Sequence, residues 1–168
     1  MSLEGIPAFY VQSFLAAEND EARAQQTGQN RSLNRTQWRV DDINDQLATG
    51  DSTMAQVFFE LRRRLNIRKQ QKAFHPDATQ FTLHIKPGMF GFWRQSLDRR
   101  QSLFVVTNIT PDEKKLSLRD MNIFADTQWI DLLSGVPVNA EDEEVELAPY
   151  QTVWISNKSD AHKSADTD

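Results

Sequence analysis

The densest group of side chains able to do chemistry in this 168-residue chain is Asn30-Arg31-Ser32-Leu33-Asn34-Arg35. It has no apolar periodicity and many donors, so it reads as a loop. An ordered loop of this make-up binds either protein backbone or a ligand. Each arginine adds a planar fork of five donors. Other constellations are weaker. His75, His84 and His162 fall on a turn, a strand face and a tail, with neither HxH nor HExxH spacing, so no metal site is expected. There is no glycine-rich phosphate loop and no GxSxG elbow. The acidic run Glu141-Asp142-Glu143-Glu144 lacks the glycine and the ligand spacing of a calcium loop and reads as solvated. Trp38, Trp93, Trp129 and Trp154 have rings that could stack on sugars. Three of them fall in predicted strands, where packing is their ordinary use.

Composition narrows the classes. Nineteen Lys+Arg stand against 24 Asp+Glu, a formal charge of −5, which disfavours a nucleic-acid partner. There is no cysteine, which excludes a disulfide scaffold, a thiol nucleophile and a cysteine-based zinc or iron–sulfur site. No window approaches the roughly 18 apolar residues of a membrane span. No basic segment followed by an apolar one opens the chain, so no secretory signal is visible. The expectation is a cytoplasmic protein without a membrane or nucleic-acid partner.

The elements that must position the polar loop change character along the chain. Ile6 to Val11 is a short apolar run that suits a strand buried on both faces, as in a parallel sheet. No second strand of that type with a crossover helix follows it. Glu18 to Gln26 has the make-up of a short helix ending at Gly28. Val40 to Thr49 is predicted as a helix with Asp41 and Asp42 in its first turn, where the dipole favours negative charge. Asp51 or Ser52 is a suitable cap for a second helix over Thr53 to Ala73. Its apolar face is Met54, Val57, Phe58, Leu61 and Leu65. The basic run Arg62, Arg63, Arg64, Arg68 and Lys69 reads as a solvated face near the dipole's negative end. From His75-Pro76 the period becomes two. Strands are predicted around 81–85, 89–94, 103–108, 115–119, 128–132, 143–147 and 151–156, which suggests an antiparallel sandwich of roughly 80 residues. The tail 158–168 has the composition of a disordered segment.

The ordered series of blocks resembles sucrose phosphorylase-like enzymes of the α-amylase superfamily. The residues that carry the likeness are GIPAFYVQSF from Gly5, Asn19-Asp20, and the Thr27-to-Arg35 loop. Ala73-Phe74-His75-Pro76, Asp131-Leu132-Leu133-Ser134-Gly135 and Pro149-Tyr150-Gln151 continue it. The resemblance implies a C-terminal segment with an α+β fold: one terminal βα unit of a TIM barrel followed by an antiparallel β-sandwich. On that basis residues 1–78 are the end of the barrel, with strand eight, the active-site loop and helices. Residues 79–157 are the β domain, and 158–168 the tail. It also implies the parent's chemistry, a retaining transfer of glucose from a glucoside such as sucrose or glucosylglycerate to phosphate, without a metal or organic cofactor. The family's catalytic carboxylates lie on barrel strands four, five and seven, so no catalytic residue is expected in this chain, and the preceding barrel becomes its implied partner. Arg31 and Arg35 both fit the motif arginine that contacts the glucosyl unit, and Asn34 holds the loop or touches sugar. Either arginine has an alternative use, pairing with a barrel carboxylate.

A second reading belongs to another class: a stand-alone β-sandwich that binds a glycan with its tryptophans or serves as an interaction module.

Overall fold

The structure is a computed structural model describing residues 1–121, 123, 127–139 and 141–157. The tail 158–168, and with it His162, lies outside the described residues. The chain forms two compact units. One comprises Pro7–Asn66 with Met1, the other Ser2–Ile6 with Ile67–Asp168.

The first unit is helical. Helix α1 is Val11–Phe14, α2 Glu21–Thr27, α3 Val40–Ala48 and α4 Thr53–Lys69, whose last three residues belong to the second unit, and a 3-10 turn lies at Asn30–Ser32. Asp20 caps α2, its carboxylate accepting from the Arg23 N–H at 2.9 Å. Gly28 ends that helix in the left-handed region, at φ +64°, where a side chain is strained. Ser52 rather than Asp51 caps α4 with its side chain, its Oγ accepting from Ala55 N–H at 3.0 Å. Met54 is buried on the predicted apolar face. Phe58, on the same face, meets the Phe14 ring edge-on with centroids 5.1 Å apart.

Three expectations are corrected here. Ile6 to Val11 is not a strand: residues 6–10 form no ladder among the described residues, and Val11 opens α1. A strand exists by pairing, and no described segment offers this one a backbone edge. Ile6 is accordingly 83% exposed. Second, α4 stops at Lys69, not Ala73. Gln70 and Gln71 donate to Ile67 and Arg68 carbonyls three residues back, and a 3-10 turn at Lys72–Phe74 follows. Third, the basic run is not one solvated face. Arg68 is buried, its Nη2 donating to Phe74 O at 3.1 Å and to Gly5 O at 3.3 Å.

Arg63 and Arg64 do lie outward, and both grip Glu60, at 2.8 and 2.6 Å. The hydrogen bond from Arg63, reinforced by Arg64, holds the Glu60 carboxyl down at about 2 against an ordinary 4.5. A depressed carboxyl stabilises the fold above its unfolded value and loses that contribution as pH falls through the folded one. Glu60→Gln is therefore expected to cost stability at neutral pH and nothing below pH about 2. The side chain is 40% exposed, so the neutral-pH cost is small, about 0.5 kcal/mol. Paired urea melts at the two pH values check this.

The second unit is built on antiparallel sheet. Strands β1 (Thr79–Thr82), β2 (Met89–Gln95), β3 (Ser102–Asn108), β4 (Lys114–Ser117), β5 (Trp129–Asp131), β6 (Pro137–Val138), β7 (Glu144–Leu147) and β8 (Thr152–Asn157) follow one another. The larger sheet has the order β1-β2-β3-β8-β5-β6, and β4 pairs with β7 in a second. Register places Phe104 opposite Ile155 and Val106 opposite Val153. These four share one apolar cluster with Leu116 of β4 and Leu147 of β7, so both sheets close on a single core. The opposite face of β3 and β8 is also buried, at Leu103, Val105 and Trp154. Phe74 covers it, its ring 4.9 Å from that of Trp154. Burial on two faces explains why these strands read as unbroken apolar runs. Strand β6 falls outside the predicted strands. Its proline is tolerated at the sheet edge, where a missing N–H breaks no inner ladder. At the β1–β2 turn Gly88 has φ +87°, and an added Cβ would come within 2.8 Å of Thr110 Cγ2, so glycine is required twice over.

Candidate functional site

The polar loop of the first unit is built by backbone ties rather than by an apolar core. Asp20 N–H donates to Leu33 O at 2.6 Å, closing residues 20–33 into a ring. Inside it, Thr27 Oγ1 and the buried Ser32 Oγ lie 2.8 Å apart. The loop's return is held by the segment before it. Tyr10 OH donates to Asn34 O at 2.9 Å, and Gln12 Nε2 donates to Thr36 O at 2.6 Å. Gln12 Oε1 in turn accepts from Trp38 Nε1 at 2.7 Å. The GIPAFYVQSF segment thus uses two of its side chains to fix the loop's shape.

This frame brings Arg31, Asn34 and Arg35 to one turn and leaves all three side chains exposed. Arg31 Nε donates to Gln29 Oε1 at 2.7 Å. Asn34 is held through its main-chain carbonyl, which leaves its amide head free of that tie. Neither arginine is in a salt bridge among the described residues, and Arg31 is tied within the loop through its Nε alone. Two forks and an amide on one turn offer donors suited to vicinal hydroxyls or to an anion.

A neighbouring cleft of about 470 Å³ lies in the same unit, lined by Glu18, Asn19, Asp20, Thr36, Trp38 and Gln46 among others. Sequence reasoning did not single it out. Its signal was the Asn19-Asp20 step and Trp38, which were read separately. Asp20 Oδ1 is engaged in capping α2.

The tryptophans of the second unit face inward. Trp129 and Trp154 are buried. Trp93 lies between Phe81 on β1 and Phe104 on β3, stacked with both at centroid distances of 4.9 and 6.1 Å. A ring sandwiched in this way has no face left for a sugar. Among the described residues no group of three His, Asp or Glu side chains is placed to hold a metal ion. Among the described residues no helix is long and apolar enough to cross a membrane.

The architecture has counterparts of known structure. An α-amylase from Anoxybacillus superposes on 94% of this chain with a TM-score of 0.69 and 17% identity, over 30% of its own length. The chain therefore has the fold of part of an α-amylase, with mixed helices and mostly antiparallel sheets. Sequence comparison narrows the likeness. Glucosylglycerate phosphorylase of Escherichia coli (strain K12) is 28% identical over 156 residues, which is 92% of this chain and 26% of that protein. Glucosylglycerate phosphorylase of Spirochaeta thermophila is 25% identical over 93% of this chain and 28% of its own length. The chain resembles this phosphorylase branch of the α-amylase superfamily along nearly its whole length, and spans about a quarter of the relatives it matches. No family model matches the chain.

Proposed function

We propose that this chain is the C-terminal segment of a retaining α-glucosyl phosphorylase, with residues 1–78 ending a (β/α)8 barrel and residues 79–157 forming its terminal β-sandwich. The parent transfers glucose from a glucoside to phosphate, and glucosylglycerate is favoured over sucrose as donor. The carrying observation is the match along 92% of this chain to about a quarter of glucosylglycerate phosphorylases. The two sheets that close on one core support the sandwich. The exposed apolar side chain of Ile6 supports a barrel neighbour for the first segment, because apolar surface left open marks an association site.

In this reading Arg31, Arg35 and Asn34 form part of the sugar-binding wall at the barrel's C-terminal face, where loops after strands build such sites. The catalytic carboxylates belong to the preceding barrel. The test is reconstitution. The chain is mixed with the separately expressed preceding portion of a glucosylglycerate phosphorylase, and glucose 1-phosphate is followed. Turnover is expected only when both are present. No turnover, where the relative's own C-terminal segment restores it, overturns the assignment. In the reconstituted enzyme, alanine at the sugar-contacting arginine lowers kcat/KM about 100-fold, the loss of a charged hydrogen bond of about 3 kcal/mol. Alanine at the other leaves it within about threefold. Equal, near-wild-type rates for both would remove the arginines from the wall.

A further inference from the structure

The second unit contains a cavity of about 600 Å³ whose wall includes Arg68, Lys69, Lys72, His75 and Asp98. Its charge is unbalanced. Asp98 is the one carboxylate on the wall among the described residues, and it is already engaged, accepting from Ser96 Oγ at 2.6 Å, Arg100 N–H at 3.1 Å and Lys72 Nζ at 3.2 Å. Arg68 is 7% exposed, forms no salt bridge among the described residues, and its Nη1 has no hydrogen-bond acceptor. Its neighbour Arg94 is wholly buried and also lacks a salt bridge there. Arg94 donates to the Ser2, His75 and Ala78 carbonyls, with its Nε left without an acceptor. Glu4 is the acid whose charge reaches Arg94.

Both guanidiniums are solvated in part by carbonyl oxygens, but of the two Arg68 has no carboxylate acting on it among the described residues. A buried charge without a counter-ion is costly, and an anion in the adjoining cleft would offset part of that cost. The rest of the wall does not oppose an organic ligand: Phe74, Pro76 and Leu97 supply apolar surface, and Ser96 a hydroxyl. The volume is that of a small-molecule site.

We propose that this cavity binds a small oxyanion, a phosphate or carboxylate group carried on a compact organic body. Arg68 sets the positive potential from beneath, and Lys69 and Lys72 meet the anion from the rim. The site lies wholly within the second unit and is independent of the phosphorylase reading.

The test is a titration of the 15N-labelled chain with sodium phosphate and, separately, sodium acetate, at ionic strength matched by sodium chloride. The amides of Gln71, Lys72, Ser96 and Leu97 are expected to shift saturably, with half-saturation near about 1 mM. Lys69→Met combined with Lys72→Met is expected to weaken binding about tenfold. Both lysines are exposed, so the thermal midpoint holds. Saturation by phosphate but not acetate assigns the site to a phosphorylated small molecule. Saturation by acetate as well assigns it to a carboxylate, free or on an acidic side chain. Linear shifts indistinguishable from chloride, or saturation unchanged in the double variant, overturn the proposal.

Discussion

Purified chain supplied with glucosylglycerate, or with sucrose, together with phosphate is expected to release no glucose 1-phosphate. Retaining glycosyl transfer needs a carboxylate nucleophile and a second carboxyl group about 5 Å away that acts first as acid and then as base. The acids of the first unit do not form such a pair in any recognisable motif. Asp20 Oδ1 is held by the Arg23 N–H as a helix cap, and Glu60 is clamped by two arginines. Without the pair, the rate falls by at least about a millionfold, the lower end of ordinary enzymatic acceleration. A coupled assay on milligram amounts should stay at the buffer baseline. Steady turnover that is abolished by an active-site inhibitor would mean that the chain holds a complete site, and the segment reading would fall.

The second large effect is on stability. Asn108, at the end of β3, is wholly buried and ties three segments together. Its Nδ2 donates to Asp112 O at 2.7 Å, Ala148 O at 2.9 Å and Leu147 O at 3.3 Å. Its Oδ1 accepts from Thr110 N–H at 3.0 Å and Thr110 Oγ1 at 2.8 Å. Asn108→Ala deletes the hub and leaves carbonyls and an N–H facing a void. Each such buried orphan costs about 1–3 kcal/mol, so the total loss is expected to be about 3 kcal/mol after relaxation and water entry. Asn108→Asp should be nearly as damaging, because it keeps the acceptor and replaces both donors with a second acceptor aimed at carbonyls. Urea melts of the three proteins measure this. A loss below about 1 kcal/mol for both variants would show that the tie is not structural.

Asn108 also shows where sequence reading stops. The strand that ends at this residue was legible, because Leu103 to Val106 alternate between two buried faces and read as an apolar run. The hub was not, because its partners lie up to 40 positions away. The same holds for Arg68. On sequence it is one of five basic residues near a helix end. Only the 3-10 turn at Lys72–Phe74 and the return of Gly5 enclose it. Caps were legible where they are local, as at Gly28 and Ser52. The segment Ile6–Val11 was misread for a physical reason: its composition is that of a strand, but a strand also needs a neighbour. At the candidate site, the loop and its three polar side chains could be picked out from the Asn/Arg pattern. The frame that holds them, Tyr10 OH on Asn34 O and Gln12 between Thr36 and Trp38, could not, since it joins residues 24 to 26 positions apart.

The central claim, that this chain completes a glucosyl phosphorylase, is tested most directly by reading the DNA upstream of the Met1 codon. The account predicts an open frame, continuous with this one or ending just before it, that encodes a barrel carrying the three catalytic carboxylates. An upstream region with no barrel-coding frame, and a functional start at Met1, would contradict it and return the chain to the class of stand-alone binding or interaction modules.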